Sequence, residues 1–184
     1  MTEFRNLSLP GCLEIRPNVF DDERGCFVKT FHRDVFESEG LNTTWNEEYY
    51  SKSYRDVIRG LHFQVPPHDH VKMVYCLQGR VLDVIVDLRQ GSPSCGRFET
   101  IELSSESGNI VYIPSGIAHG FCVLTEHATM QYKVSTVYSA EHDCGIRWDS
   151  IGFRWPIVTP IISARDKGFP GLDAFKSPFR FGHD

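Results

Sequence analysis

The sequence predicts an all-β protein, a sandwich or barrel of many short strands. Three observations carry this. Apolar and polar residues alternate at period two along much of the chain. Clusters of Gly, Pro and Ser punctuate those runs at short intervals. Helical periodicity is weak throughout.

Taken in order, the first strand-like run covers 27–31. The next two, 57–63 and 71–77, are separated by Pro66-Pro67, which cannot donate to a ladder and so break the pairing. In 81–88, Leu82, Val84, Val86 and Leu88 share one face, and Asp83 and Asp87 fall on the other. Gly91-Ser92-Pro93 closes that run before the strand 97–103. A turn at 105–109 leads to 110–113, and Pro114-Ser115-Gly116 turns the chain back into 120–124. In 128–138, Ala128, Met130, Tyr132, Val134, Thr136 and Tyr138 lie on one face. Two short helices are predicted: 34–39, closed by Gly40, and a single turn at 139–143 begun by a Ser139 cap. Pro156, Pro160, Pro170 and Pro178 leave the C-terminal segment to wrap the surface irregularly.

Composition narrows the function classes. The chain has 184 residues, enough for a single domain over 1–184 with a sizeable core. It is 41% hydrophobic and 23% charged, with a formal net charge of -5. The Lys and Arg residues are scattered, which argues against nucleic acid as the partner. No run approaches the ~18 apolar residues of a membrane span, and no secretory leader is read at the N-terminus, so a cytoplasmic protein is expected. Six cysteines lie far apart without a C-x-x-C pair, which reads as reduced, buried thiols.

Two segments resemble the paired motifs of the cupin superfamily, which implies a cupin-type jelly roll. The second motif is G-N-I-V-Y-I-P-S-G-I-A-H, with Gly108, Pro114, Gly116 and His119. The first runs His62-Phe63-Gln64, then Lys72 and Gly79. Metal-binding cupins place two histidines and a carboxylate in that first motif. Here Gln64 stands for one histidine and Lys72 for the carboxylate. An ammonium cannot ligate a cation and repels one, so no metal is expected. His68 and His70 are the only replacement ligands nearby, in a loop with no matching carboxylate on the next strand.

A wider resemblance follows from R-G-L-H-F-Q at 59–64, Pro66-Pro67, Lys72, V-L-D-V-I-V-D-L-R at 81–89 and Gly91-Ser92-Pro93. I-P-S-G-I-A-H-G-F at 113–121, Tyr132, Tyr138, 146–148 and Trp155-Pro156 continue it. From about Asp22 to Asp166 the chain resembles the dTDP-4-dehydrorhamnose 3,5-epimerase family. The resemblance implies cofactor-free epimerisation at C3, C5 or both of a nucleotide-linked 4-keto-6-deoxyhexose. The product would be a deoxysugar for surface polysaccharide. Hydrogens flanking the ketone are removed to an enolate and returned on the opposite face, which needs a base, a stabiliser of the enolate oxygen and an acid.

By the resemblance, His62 is the base, Asp166 orients it, Lys72 holds the enolate oxygen and Tyr132 is the acid. From spacing alone, Asp166 reads as a surface-turn carboxylate and Tyr132 as a core tyrosine. Arg24, Arg59, His119 and Arg165 match positions near the diphosphate or sugar, and Phe27 and Tyr138 match rings that pack on the base or its sugar. The family is homodimeric, with an N-terminal segment that reaches the partner, so Arg24, Phe27 and Lys29 are expected to serve the neighbouring site.

Two stretches depart from the family pattern. Lys29 ends a D-x-R-G-x-F-x-E motif, and Glu47 and Tyr49 replace Gln and Asn of Q-x-N-x-S-x-S. A donor at Lys29 and an acceptor at Glu47 would suit cytosine, so CDP stands beside dTDP, with GDP and UDP also open. Tyr49 makes inversion at one carbon a live variant. The rival readings are a 3,4-ketoisomerase on the same scaffold, a metal cupin and a non-catalytic sugar-binding cupin.

Overall fold

The structure, a computed structural model, describes residues 2–182. Thirteen strands form two sheets and a hairpin. The elements in order are β1 (Glu3–Asn6), β2 (Leu13–Arg16), β3 (Val19–Asp22), β4 (Gly25–Val28), α1 (Arg33–Ser38), β5 (Glu47–Tyr54), β6 (Ile58–Gln64), β7 (Lys72–Gln78) and β8 (Arg80–Asp87). They continue with β9 (Phe98–Ser104), β10 (Ile110–Ile113), β11 (Ile117–Val123), β12 (His127–Val134), β13 (Asp143–Gly145), a 3-10 turn (Trp148–Ser150) and α2 (Ala164–Lys167). One sheet runs β1-β2-β10-β7-β12-β5, the other β13-β6-β11-β8-β9, and β3-β4 stands apart as a hairpin. All ladders between strands are antiparallel. This is the cupin-type jelly roll expected from the sequence.

The two sheets pack face to face. Val74, Val111, Ile113 and Met130 from one meet Val81, Ile85, Leu103 and Phe121 from the other. The outer face of the five-stranded sheet is buried as well. Ile58, Leu61, Val84 and Val86 lie under Ile146, Ile151, Trp155 and Phe179 of the C-terminal wrap. That double burial explains why 81–88 reads as a nearly continuous apolar run. On the outer face of the other sheet, Phe36 of α1 covers Ile15, Met73 and Tyr75.

The predicted strands after residue 57 all form, with ends shifted by a few residues. The run 128–138 stops at Val134. There the Val71 N–H donates to Ser135 Oγ and the Ser135 N–H to Val71 O, which pulls the chain out of the ladder. The run 27–31 is the hairpin strand β4 instead, paired with Val19–Asp22. The predicted turn of helix at 139–143 is a hydrogen-bonded turn: His142 N–H donates to Ser139 O, and Asp143 begins β13. The C-terminal wrap contains one short helix, α2, capped by Ser163. No described helix is long and apolar enough to cross a membrane.

Candidate active site

The open end of the barrel holds a cavity of about 300 Å³. Glu47, Tyr49, Arg59, His62, Lys72, His119, Tyr132, Tyr138 and Arg165, all expected at the site, line it. His62 projects from the five-stranded sheet, and Lys72 and Tyr132 from the six-stranded one.

β6 and β11 pair so that His62 faces His119. Two glycines permit that closeness. A Cβ on Gly60 would lie 2.6 Å from Gly120 Cα, and one on Gly120 would lie 2.6 Å from Arg59 O. Gly60 also holds φ at +125°, where a side chain is strained.

His62 Nε2 lies 2.9 Å from Asp166 Oδ1. The second oxygen, Oδ2, accepts from the Gly60 N–H at 3.1 Å. Asp166 is buried, and α2 aims it inward: the Asp166 N–H donates to Ser163 Oγ at 3.0 Å. Burial works to raise the Asp166 carboxyl. The His62 hydrogen bond and charge, then the Gly60 N–H and Ser163, outweigh it, so the group sits below its ordinary value. An ionised carboxylate only accepts, so Nε2 of His62 carries a proton, and Nδ1 is the nitrogen left to accept one from a substrate. The edge of Phe169 meets the His62 ring at 5.7 Å, and Arg165 lies over Phe169 at 5.3 Å while pairing with Asp143 at 2.7 Å.

His119 is fully enclosed and pairs through Nε2 with Asp83 Oδ2 at 2.7 Å. Burial pushes its imidazole below the ordinary value, against the pull of Asp83. Lys72 is buried too. Desolvation pushes its amine down to about 8, with Asp83 and Asp143 acting the other way. The Tyr132 hydroxyl lies 3.0 Å from Ser51 Oγ, and burial raises this phenol well above its ordinary value. Arg59 donates through Nε to Ser53 Oγ at 2.8 Å, and Glu47 Oε2 accepts from the Tyr138 N–H at 2.6 Å.

Arg24, Phe27 and Lys29 are not brought to this cavity. They lie on or beside the β3-β4 hairpin, where Arg24 pairs with Asp22 and Phe27 packs on Phe20. Phe27 and Lys29 line a separate groove with His32 and Phe36.

The sequence reading missed several contributors. Asp83 was visible only as the odd acid on an apolar strand, and that alternation is what turns it inward. Asp143 carries no signal of its own, and Ser51 was visible only as a retained Ser of the Q-x-N-x-S-x-S stretch. His70, weighed in the sequence only as a replacement metal ligand, also lines the cavity. Gln64, at a cupin ligand position, is a tie between loops: its amide donates to His68 O at 2.8 Å and accepts from the Ser139 N–H at 2.6 Å. Among the described residues no group of three or more His, Cys, Asp or Glu is placed to hold a metal ion.

The family model described as dTDP-4-dehydrorhamnose 3,5-epimerase matches residues 6–174. The chain belongs to the dTDP-4-dehydrorhamnose 3,5-epimerase family. A member from Shigella flexneri, named dTDP-4-dehydrorhamnose 3,5-epimerase, is 41% identical over 86% of this chain and 89% of its own. A dTDP-4-dehydrorhamnose 3-epimerase from Streptomyces niveus is 39% identical over 89% of this chain and 80% of its own. The crystal structure of a dTDP-6-deoxy-D-glucose-3,5-epimerase from Legionella pneumophila, in complex with dTDP-4-keto-L-rhamnose, superposes with a TM-score of 0.91 at 31% identity. It covers 96% of this chain and 95% of that one. This member of the family is thus an isomerase of the epimerase class, and its relatives include both two-centre and one-centre enzymes.

Proposed function

We propose that the protein epimerises a dTDP-linked 4-keto-6-deoxyhexose at C3, C5 or both, without a cofactor. The observation that supports this most is the placement of His62 and Tyr132 on opposing sheets of one cavity, with Lys72 between them in sequence and beside them in space. His62 Nδ1 takes the proton beside the ketone, and Asp166 stabilises the imidazolium that forms. The Lys72 ammonium meets the charge that develops on the ketone oxygen. Tyr132 returns a proton from the opposite wall. Arg59, His119 and Arg165 supply positive or donating groups for the sugar and diphosphate.

Within one chain, Lys29 and Glu47 do not share a site, and one Glu47 oxygen is engaged by the Tyr138 N–H. Bringing Lys29 and Glu47 to one base would take the hairpin of a second subunit, and dTDP is preferred over CDP because the relatives named above are dTDP-sugar enzymes. The working unit is a homodimer in which the β3-β4 hairpin of one subunit serves the other. The exposed rings of Phe20 and Phe27 on that hairpin support this reading. Mixing the variants His62→Ala and Arg24→Ala restores activity if sites are shared between subunits, and leaves none if they are not.

The deciding experiment incubates the protein with dTDP- and CDP-4-keto-6-deoxyglucose in heavy water and reads the sugar by NMR. Deuterium at C3 or C5 with inverted configuration is expected, faster for dTDP. A carbonyl moved from C4 to C3 would mark a ketoisomerase instead, and absence of deuterium would overturn the reading.

A further inference from the structure

We infer that Tyr49 is a positioning residue for Tyr132, and that its ring decides how proton delivery divides between the two carbons beside the ketone. The inference rests on the epimerase reading and deepens it. Tyr49 and Tyr132 are direct cross-strand partners on β5 and β12. Their rings stack with centroids 4.7 Å apart and planes within 15°. Two residues along the same face of β5, Ser51 holds the Tyr132 hydroxyl at 3.0 Å. The edge of His119 approaches the same ring at 6.2 Å. Tyr132 is 6% exposed and Tyr49 40%, so Tyr49 is the outer ring of the stack and covers the inner one.

A phenol with one face stacked, its edge flanked and its hydroxyl bonded has one position to occupy. That matters for this reaction. C3 and C5 lie on opposite sides of the ketone carbon, so an acid placed for one is misplaced for the other unless the sugar or the phenol moves. A misplacement of about 1 Å costs up to about a hundredfold in rate. With Tyr132 pinned, the sugar has to do the moving, and the carbon that first faces the phenol is inverted preferentially. In the delivery step the phenolic proton passes to carbon, and the electron pair of the enolate forms the C–H bond. The phenolate left behind accepts the Ser51 O–H bond until solvent returns a proton.

The test compares wild type, Tyr49→Phe and Tyr49→Ala in heavy water, with exchange and net inversion followed separately at C3 and C5. Tyr49→Ala is expected to lower net inversion about a hundredfold relative to exchange and to change the C3:C5 inversion ratio. Tyr49→Phe keeps the stacked ring and is expected to keep both ratios, whatever it does to KM. Exchange by Tyr49→Ala doubles as its folding control, because exchange needs His62 and Lys72 in place. Inversion and exchange that fall together in both variants would make Tyr49 a plain substrate contact and overturn the inference. So would unchanged ratios in Tyr49→Ala. Absence of exchange in wild type would instead overturn the epimerase reading on which the inference rests.

Discussion

His62 and His119 face each other across β6 and β11, and each directs Nε2 at a carboxylate. The two pairs nevertheless differ in solvation and in how far the carboxylate is satisfied. The His62 side chain is 29% exposed and opens on the cavity, whereas that of His119 is 4% exposed. Asp166 uses both oxygens, one for His62 and one for the Gly60 N–H. Asp83 uses only Oδ2, and its Oδ1 is buried without a hydrogen-bond partner. A carboxylate satisfied on both oxygens holds its charge cheaply and can stabilise an imidazolium as it forms. A half-satisfied one carries an unpaid desolvation cost, which nearby cations offset. Lys72 feels Asp83 in just this way. On the proposed mechanism, the first pair would serve proton transfer, and the second would hold a charge beside the place where the enolate oxygen would sit.

The largest expected effect comes from breaking the first pair without changing its shape. Asp166→Asn can offer its amide to Nε2 of His62 and so favour the wrong tautomer. Deuterium exchange into the sugar should fall about ten-thousandfold, by analogy with other carboxylate–histidine pairs. Exchange within tenfold of wild type would remove Asp166 from the mechanism.

Breaking the second pair should act on stability first. Asp83→Asn leaves Lys72 buried without the anion that favours its charge most and His119 without a charged acceptor. A loss of about 3 kcal/mol in urea unfolding at pH 7 is expected. The deficit should shrink in alkali, because a neutral amine needs no counter-charge.

The same variant sharpens the pH profile. Lys72 can hold an enolate only while protonated, and its folded value lies at about 8. In wild type kcat/KM should therefore fall above about pH 8. Removing the Asp83 charge lowers the Lys72 value further, so the alkaline limb of Asp83→Asn should begin at a lower pH. An unmoved limb would separate Asp83 from Lys72.

The two pairs were not equally legible in the sequence. His62, Lys72 and His119 stand at fixed offsets from glycines and prolines, because strand–turn–strand geometry fixes where an inward side chain falls. Asp166 stands 104 residues from His62 and arrives on a helix of one turn. No local pattern links them, and only the family resemblance did. β5 was missed as a strand for a related reason. Its inward residues Glu47, Tyr49, Ser51 and Ser53 line or border a polar cavity, so the apolar alternation that marks a strand is absent. The hairpin residues Arg24, Phe27 and Lys29 lie away from the cavity of their own chain, and the expectation that they serve a neighbouring site came from the resemblance alone.

The smallest expected effect returns to Asp166 and gives the comparison its sharpest form. Its folded value is depressed, so its contribution to stability is present above the unfolded carboxyl value near ~3.9 and is lost as pH falls through the folded value. Asp166→Asn retains one acceptor for either His62 or the Gly60 N–H and forfeits the other. The cost should be about 1–2 kcal/mol at pH 7, fading as pH falls through the depressed folded value and the native carboxyl is itself protonated. Thermal melts of wild type and variant at pH 7 and stepwise down the acid limb measure it. A substitution that costs the rate about ten-thousandfold and the fold so little would mean that Asp166 acts on the protonation of His62 and barely on packing. A stability loss as large as that of Asp83→Asn, undiminished at low pH, would instead make both carboxylates structural and erase the difference between the pairs.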